Sequence, residues 1–211
     1  MEIHVWSDIA CPWCYIGKRS LETAMAKVKD AENLTVIWRS FELDPDAPAK
    51  RDLPMDQLLA KKYRMTMDQV EATQSRITEV AKSFGLDYHL SDLQSGNTFD
   101  AHRLVHFANT QGLGDAMKER LFRAYFEQGQ LMSDHEVLVT CATEVGLDET
   151  ATREVLASGA YADEVRFDEA QARDNDFSAV PTFVVDGRFA VSGAQDPEVL
   201  VKMIERARAT S

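Results

Sequence analysis

The strongest constraint on the fold lies in the first forty residues. Ile3 and Val5 alternate with polar positions from Glu2 to Ser7, with Ile9 just beyond, which is the pattern of a strand. From Pro12 to about Lys29 the period changes, and Ile16, Leu21, Met25 and Val28 recur at helical spacings. Leu34 to Phe41 returns to strand, with Val36 and Trp38 on one face and Ile37 on the other. Two strands joined by a helix of this length imply a right-handed crossover and parallel pairing. Cys11-Pro12-Trp13-Cys14 stands where the first strand passes into the helix.

Glu42 to Pro54 reads as a loop, because Pro45, Pro48 and Pro54 break any regular element there. A helical tract follows, with expected helices over Met55 to Arg64, Met67 to Phe84, Thr98 to Gly112 and Asp115 to Gln128. Ser133-Asp134-His135-Glu136 has the form of a capping box with Ser133 as the cap, opening a helix that ends near Gly146. Asp148 to Ser158 and Tyr161 to Asn175 complete the tract. Strand character then returns. Thr182 to Val185 and Arg188 to Val191 flank Asp186-Gly187, a strong hairpin turn. Asp196 caps a last helix with Pro197 at its first position. The order is βαβ, a block of helices, then αββα, so the two ends complete one sheet around an insertion.

At 211 residues such a chain buries a core without disulfide staples. Its net charge of -12 and the lack of a basic stripe exclude a nucleic-acid surface. No segment approaches the roughly 18 apolar residues that a membrane span needs. Met1 leads straight into a strand, with neither the basic nor the apolar region of a secretory leader, so the expectation is a cytoplasmic protein. Three cysteines are an odd number and do not make a disulfide scaffold. In a reducing compartment, disulfides are mostly transient and catalytic.

Residues i and i+3 at a helix start are neighbours within the separation that a disulfide spans. Cys11 is expected at the helix N-terminus with its sulfur towards solvent, and Cys14 one turn inside and more buried. Pro12 suits the first turn, where its missing N–H costs nothing. A helix N-terminus stabilises a thiolate by at most about 2 kcal/mol. That moves a thiol from roughly 8.5 to about 7. In exchange chemistry Cys11 is then the nucleophile, and Cys14 resolves the mixed disulfide. Half of a zinc site is the competing reading, but it needs two further ligands and no second Cys-x-x-Cys exists. Val180-Pro181-Thr182-Phe183 places a proline at the start of a strand, where either a plain boundary or a cis bond fits.

The Cys-x-x-Cys after strand one, the Val180-Pro181-Thr182 before strand three and the helices between them resemble the DsbA-like branch of the thioredoxin superfamily. Asn97 to Leu104 and Val191 to Gln195 resemble segments of its FrnE-like subgroup. The resemblance implies an α/β, thioredoxin-like fold with a large all-helical insertion. Residues 1–54 and 160–211 would form the thioredoxin-like domain and residues 55–159 the inserted helical subdomain. It implies a thiol-disulfide oxidoreductase acting on protein thiols and disulfides. Pro12, Trp13, Val180, Pro181 and Thr182 would contact substrate, and Pro181 would be cis beside the dithiol. No metal or organic cofactor is expected beyond the Cys11–Cys14 disulfide itself, with glutathione as a candidate co-substrate. Trp13 stands where DsbA has a histidine, which implies a less oxidising pair. Oligomeric state is left open.

A glutathione-dependent isomerase or kappa-class glutathione transferase is the alternative. There Pro181 and Gly193 to Asp196 would help hold glutathione, although those enzymes usually lack the second cysteine. A non-catalytic binding protein is a third reading. Among weaker candidates, Cys141 lies in an apolar helix and reads as an inert buried thiol. His102 and His106, four apart, suggest a structural or exposed pair more than a metal site. Met55, Met65 and Met67 read as packing more than as a peptide-binding surface. Glu42 and Asp44 read as a solvated loop more than as proton acceptors for the thiols.

Overall fold

The computed structural model describes residues 1–210. Its sheet is assembled from both ends of the chain. β1 (Glu2–Ser7), α1 (Pro12–Met25) and β2 (Thr35–Ser40) form the expected crossover, with Ile3 opposite Val36 and Val5 opposite Trp38 in parallel register. β3 (Thr182–Val185) runs antiparallel along the other edge of β1, with Phe183 opposite Val5. β4 (Phe189–Ser192) closes the order β2-β1-β3-β4. β1 is therefore the inner strand that receives both halves, and Ile3 and Val5 are fully buried. Asp186 and Gly187 take φ of 54° and 64°, the left-handed pair that a two-residue hairpin demands. The Arg188 N–H closes that turn onto Val185 O, so β4 pairing begins at Phe189, one residue later than expected.

Between the halves lie α2 (Met55–Tyr63), α3 (Met67–Ser83), α4 (Phe99–Asn109), α5 (Gly114–Phe126), α6 (His135–Glu144), α7 (Glu149–Ala157) and α8 (Ala162–Asp174); α9 (Pro197–Ala209) ends the chain. α5 and α8 lie against β2, and α1 packs on α9. Tyr15 of α1 stacks on Phe122 of α5 at 4.9 Å, and Tyr88 stacks on Phe126 at 4.7 Å. Such aromatic pairs add about 0.5–1.5 kcal/mol each beyond their buried area. One continuous apolar cluster runs from the sheet through these rings into α6 and α7.

Three local expectations are corrected. α1 stops at Met25 instead of reaching Lys29, because the chain tightens through Lys27 N–H to Ala24 O and then turns at Asp30 with φ of 51°. α6 is capped by Asp134, whose carboxylate accepts from Glu136 and Val137 N–H, and not by Ser133. The Ser133 hydroxyl donates instead to Ala49 O, tying the proline-rich loop to the helices. Glu42 does not lie in a solvated loop: it is buried, with Arg166 of α8 donating to it at 2.7 Å.

Gly17 marks the tightest approach between α1 and the returning strand. A Cβ there would lie 2.8 Å from Pro181 Cγ and 3.2 Å from Phe183 Cζ. Alanine gains about 1 kcal/mol of helix propensity, whereas overpacking a filled contact costs about 1–3 kcal/mol. Gly17→Ala should therefore lower the urea midpoint with little change in slope. A midpoint at or above wild type would contradict this packing account.

Candidate active site

Cys11 is the N-cap of α1, and Pro12 occupies the first helical position. The Cys11 N–H donates to Asp8 O at 3.2 Å, and the Cys14 N–H reaches back to Cys11 O at 3.0 Å, which sets the two thiols one turn apart. Both sulfurs belong to free cysteines. Cys11 is only 4% exposed, against the expectation of a solvent-facing sulfur. The Val180–Pro181 segment covers it: the peptide bond is cis, and the Cys11 thiol donates to Val180 O at 3.5 Å. That segment is held in turn by Gly193 N–H, which donates to Pro181 O at 2.7 Å from a φ of 89°. Pro12 and Trp13 are half-buried and form the outer face of the motif, while Tyr88 donates to Pro12 O at 2.7 Å.

The structure thus brings Cys11, Cys14, Val180 and Pro181 together, with Pro12 and Trp13 at the rim. Thr182 differs. Its hydroxyl is fully buried and engaged with Ala179 O and Ser192 Oγ, each at 2.7 Å, so it braces β3 against β4.

Two charged groups beneath the dithiol were not singled out from sequence. Asp8, at the end of β1, accepts from Leu43 N–H at 2.7 Å, from Thr98 Oγ1 at 2.9 Å and from Ala10 N–H at 3.3 Å, with His102 Nε2 also at 3.3 Å. Burial opposes its ionisation, but the bonds from His102, Leu43 and Thr98 win and hold the carboxyl below its ordinary value. His102 is fully buried, and that burial outweighs Asp8 and keeps the imidazole neutral by lowering its pKa. Lys118 of α5 is also fully buried, and desolvation brings its amine down to about 8 against the pull of Cys14, Asp8 and Cys11. Burial pushes the Cys14 thiol well above the usual range, Cys11 adds to the rise, and Lys118 opposes it. The signal for Lys118 was present: it shares a helical stripe with Leu121, Phe122 and Tyr125, where a charge does not belong.

The weaker candidates resolve separately. His102 and His106 serve different carboxylates, Asp8 and Asp168, and no group of three His, Cys, Asp or Glu among the described residues is arranged around a metal position. Ser40, His106 and Asp168 do not form a relay, because the same His106 Nε2 faces both Ser40 Oγ and Asp168 Oδ2 at 3.1 Å. Cys141 is fully buried, and burial raises its pKa. Met55 packs on the core and Met67 is exposed. Asp44 pairs with Arg51 at 2.5 Å.

The family model described as DSBA-like thioredoxin domain matches residues 2–205. The uncharacterized protein YwbO of Bacillus subtilis (strain 168) is 32% identical over 206 residues, spanning 97% of this chain and 96% of that protein. A crystal structure of a probable DsbA oxidoreductase from Streptomyces coelicolor superposes with a TM-score of 0.95 at 39% identity, covering all of this chain and 91% of that one. The cytosolic disulfide reductase DsbM from Pseudomonas aeruginosa shares the fold, with a TM-score of 0.68 at 18% identity and full coverage of both chains.

The buried acid and imidazole give stability a pH signature. His102 has a lower pKa folded than the roughly 6.5 of an unfolded chain. Its contribution is full above that value and is lost as pH falls through the folded one. Asp8 follows in the same direction below about 3.9. Glu42, raised to about 7 by burial, runs oppositely, gaining stability as pH falls. Comparison with a variant therefore isolates the histidine. Between about pH 7.5 and 5, His102→Gln should show a shallower acid loss of unfolding free energy than wild type. Parallel curves would refute a buried neutral imidazole.

Proposed function

This chain belongs to the DSBA-like thioredoxin domain family, and on that premise we propose that it exchanges disulfides with protein or peptide substrates through Cys11 and Cys14. The observation that carries the reading is the placement of Cys11 at the cap of α1, under the Val180–Pro181 segment, with a buried Cys14 one turn below. In the reducing direction, the Cys11 thiolate attacks a substrate disulfide and a mixed disulfide forms. Cys14 then attacks Cys11 Sγ and the second substrate thiol leaves. Pro12, Trp13 and the Val180–Pro181 backbone form the substrate rim, where an extended peptide could pair with the main chain.

The FrnE-like character of Asn97 to Leu104 and Val191 to Gln195 extends the reading to the subgroup. We place the protein in the cytoplasm, as the name of DsbM places that protein, with glutathione as a co-substrate that re-reduces the pair. A glutathione-dependent isomerase or kappa-class transferase would have no use for Cys14. Its burial directly behind Cys11 favours the dithiol mechanism.

Cys11→Ser should abolish disulfide exchange with a protein substrate such as insulin, and Cys14→Ser should accumulate the mixed disulfide with substrate. Full exchange by Cys11→Ser would end the proposal, and isomerase or transferase turnover by Cys14→Ser with glutathione would favour the alternative. With Trp13 supplying no charge beside Cys11, the equilibrium potential against glutathione should lie below the roughly -120 mV of DsbA. A DsbA-like value would contradict the role given to Trp13.

A further inference from the structure

Lys118 is a fully buried amine without an ion-pair partner. Among the described residues no carboxylate oxygen lies within 4.0 Å of its Nζ, and its one hydrogen bond goes to Ser7 O at 3.3 Å. An ammonium has three donors, and leaving a buried charge uncompensated is strongly unfavourable. The rings of Phe122 and Trp38, with centroids 5.2 and 5.7 Å away, give only partial compensation.

The ionisable groups around it come from four directions. Asp8 follows β1, Cys11 and Cys14 begin α1, His102 comes from α4 and Asp168 from α8. Lys18 of α1 lies 6.0 Å from the same Trp38 ring and is already neutralised by Glu22, Asp115 and Glu119. Asp8 is engaged by Leu43, Thr98 and His102, and Asp168 by Arg39, Ser40 N–H and His106. The thiols are the remaining groups that can become anions, and Cys14, fully buried, is the one that needs a cation in order to ionise.

We propose that Lys118 is the counter-charge of the resolving thiol, taking up the proton that Cys14 releases and holding it more tightly in the dithiol than in the disulfide state. The inference rests on the exchange reaction proposed above. In the mixed disulfide, the Cys14 thiol passes its proton to the neutral amine of Lys118. The Cys14 sulfur lone pair attacks Cys11 Sγ, the Cys11–Cys14 bond forms and the bond from Cys11 to the substrate sulfur breaks. The substrate sulfur leaves with the electron pair and takes the proton from the Lys118 ammonium. Over the cycle the cysteine pair loses two electrons and the substrate disulfide gains them. The depressed proton affinity of the buried amine suits this task, because the amine is ready to give the proton back.

The decisive experiment reads Lys118 in the unaltered protein. With 13C-labelled lysine, the titration of its Cε signal is followed in the oxidised and the reduced chain, and Lys118→Arg supplies the assignment. Lys118 should titrate at higher pH in the reduced protein; identical titration in both states overturns the proposal. Single-turnover resolution of a preformed mixed disulfide is the second readout. Lys118→Met should slow it by roughly 10²-fold, the lower range for proton transfer by a positioned group, and should move its pH profile to higher pH. Lys118→Arg, which keeps the charge but cannot accept a proton, should restore the position of the profile but not the full rate. Wild-type rate and profile in Lys118→Met would overturn the inference. If either variant fails to fold, the lysine signal that titrates below the ordinary lysine range in the wild type still decides. Wild-type protein that exchanges no disulfide at all would overturn the proposed function itself.

Discussion

The contact of α1 with the Val180–Pro181 segment is the one on which the rest depends. Cys11 donates to Val180 O, and Gly17, one and a half turns further along α1, presents no Cβ to Pro181 and Phe183. Residues nearly the whole chain apart are thereby held in a single layer. β1 makes this contact durable because it carries both neighbours, β2 in parallel and β3 antiparallel. The inserted helices brace it from the side, through the stacked rings of Tyr15, Tyr88, Phe122 and Phe126.

Much of this was readable in the residues, for identifiable physical reasons. Alternation at Ile3 and Val5, the change of period at Pro12 and the Asp186-Gly187 turn are local signals, and local signals survive folding. The cap at Asp196 belongs to the same class. Ser133 misled because a capping box is degenerate: an Asp one residue later does the same work, and a distant carbonyl at Ala49 claimed the serine. Glu42 misled because its partner, Arg166, lies over a hundred residues away in sequence, where no local pattern reaches.

The site divides along the same line. The Cys-x-x-Cys and the proline before β3 are contiguous motifs and were visible. The polar floor beneath them was not, since Asp8, His102 and Lys118 come from a strand end and two helices that only tertiary packing brings together. Such groups are costly in an apolar interior unless their charges are answered. Their concentration behind two thiols is a product of tertiary packing, which no contiguous motif announces.

The order in which the site is completed has its own consequence. The dithiol leaves the ribosome 169 residues ahead of the Val180 carbonyl that covers Cys11. At the usual 5–20 residues per second, translation separates the two by on the order of ten seconds or more. During that interval the nascent chain carries two adjacent thiols without the strand that later shields them. For those seconds both thiols stand open to whatever oxidant or reductant surrounds the growing chain.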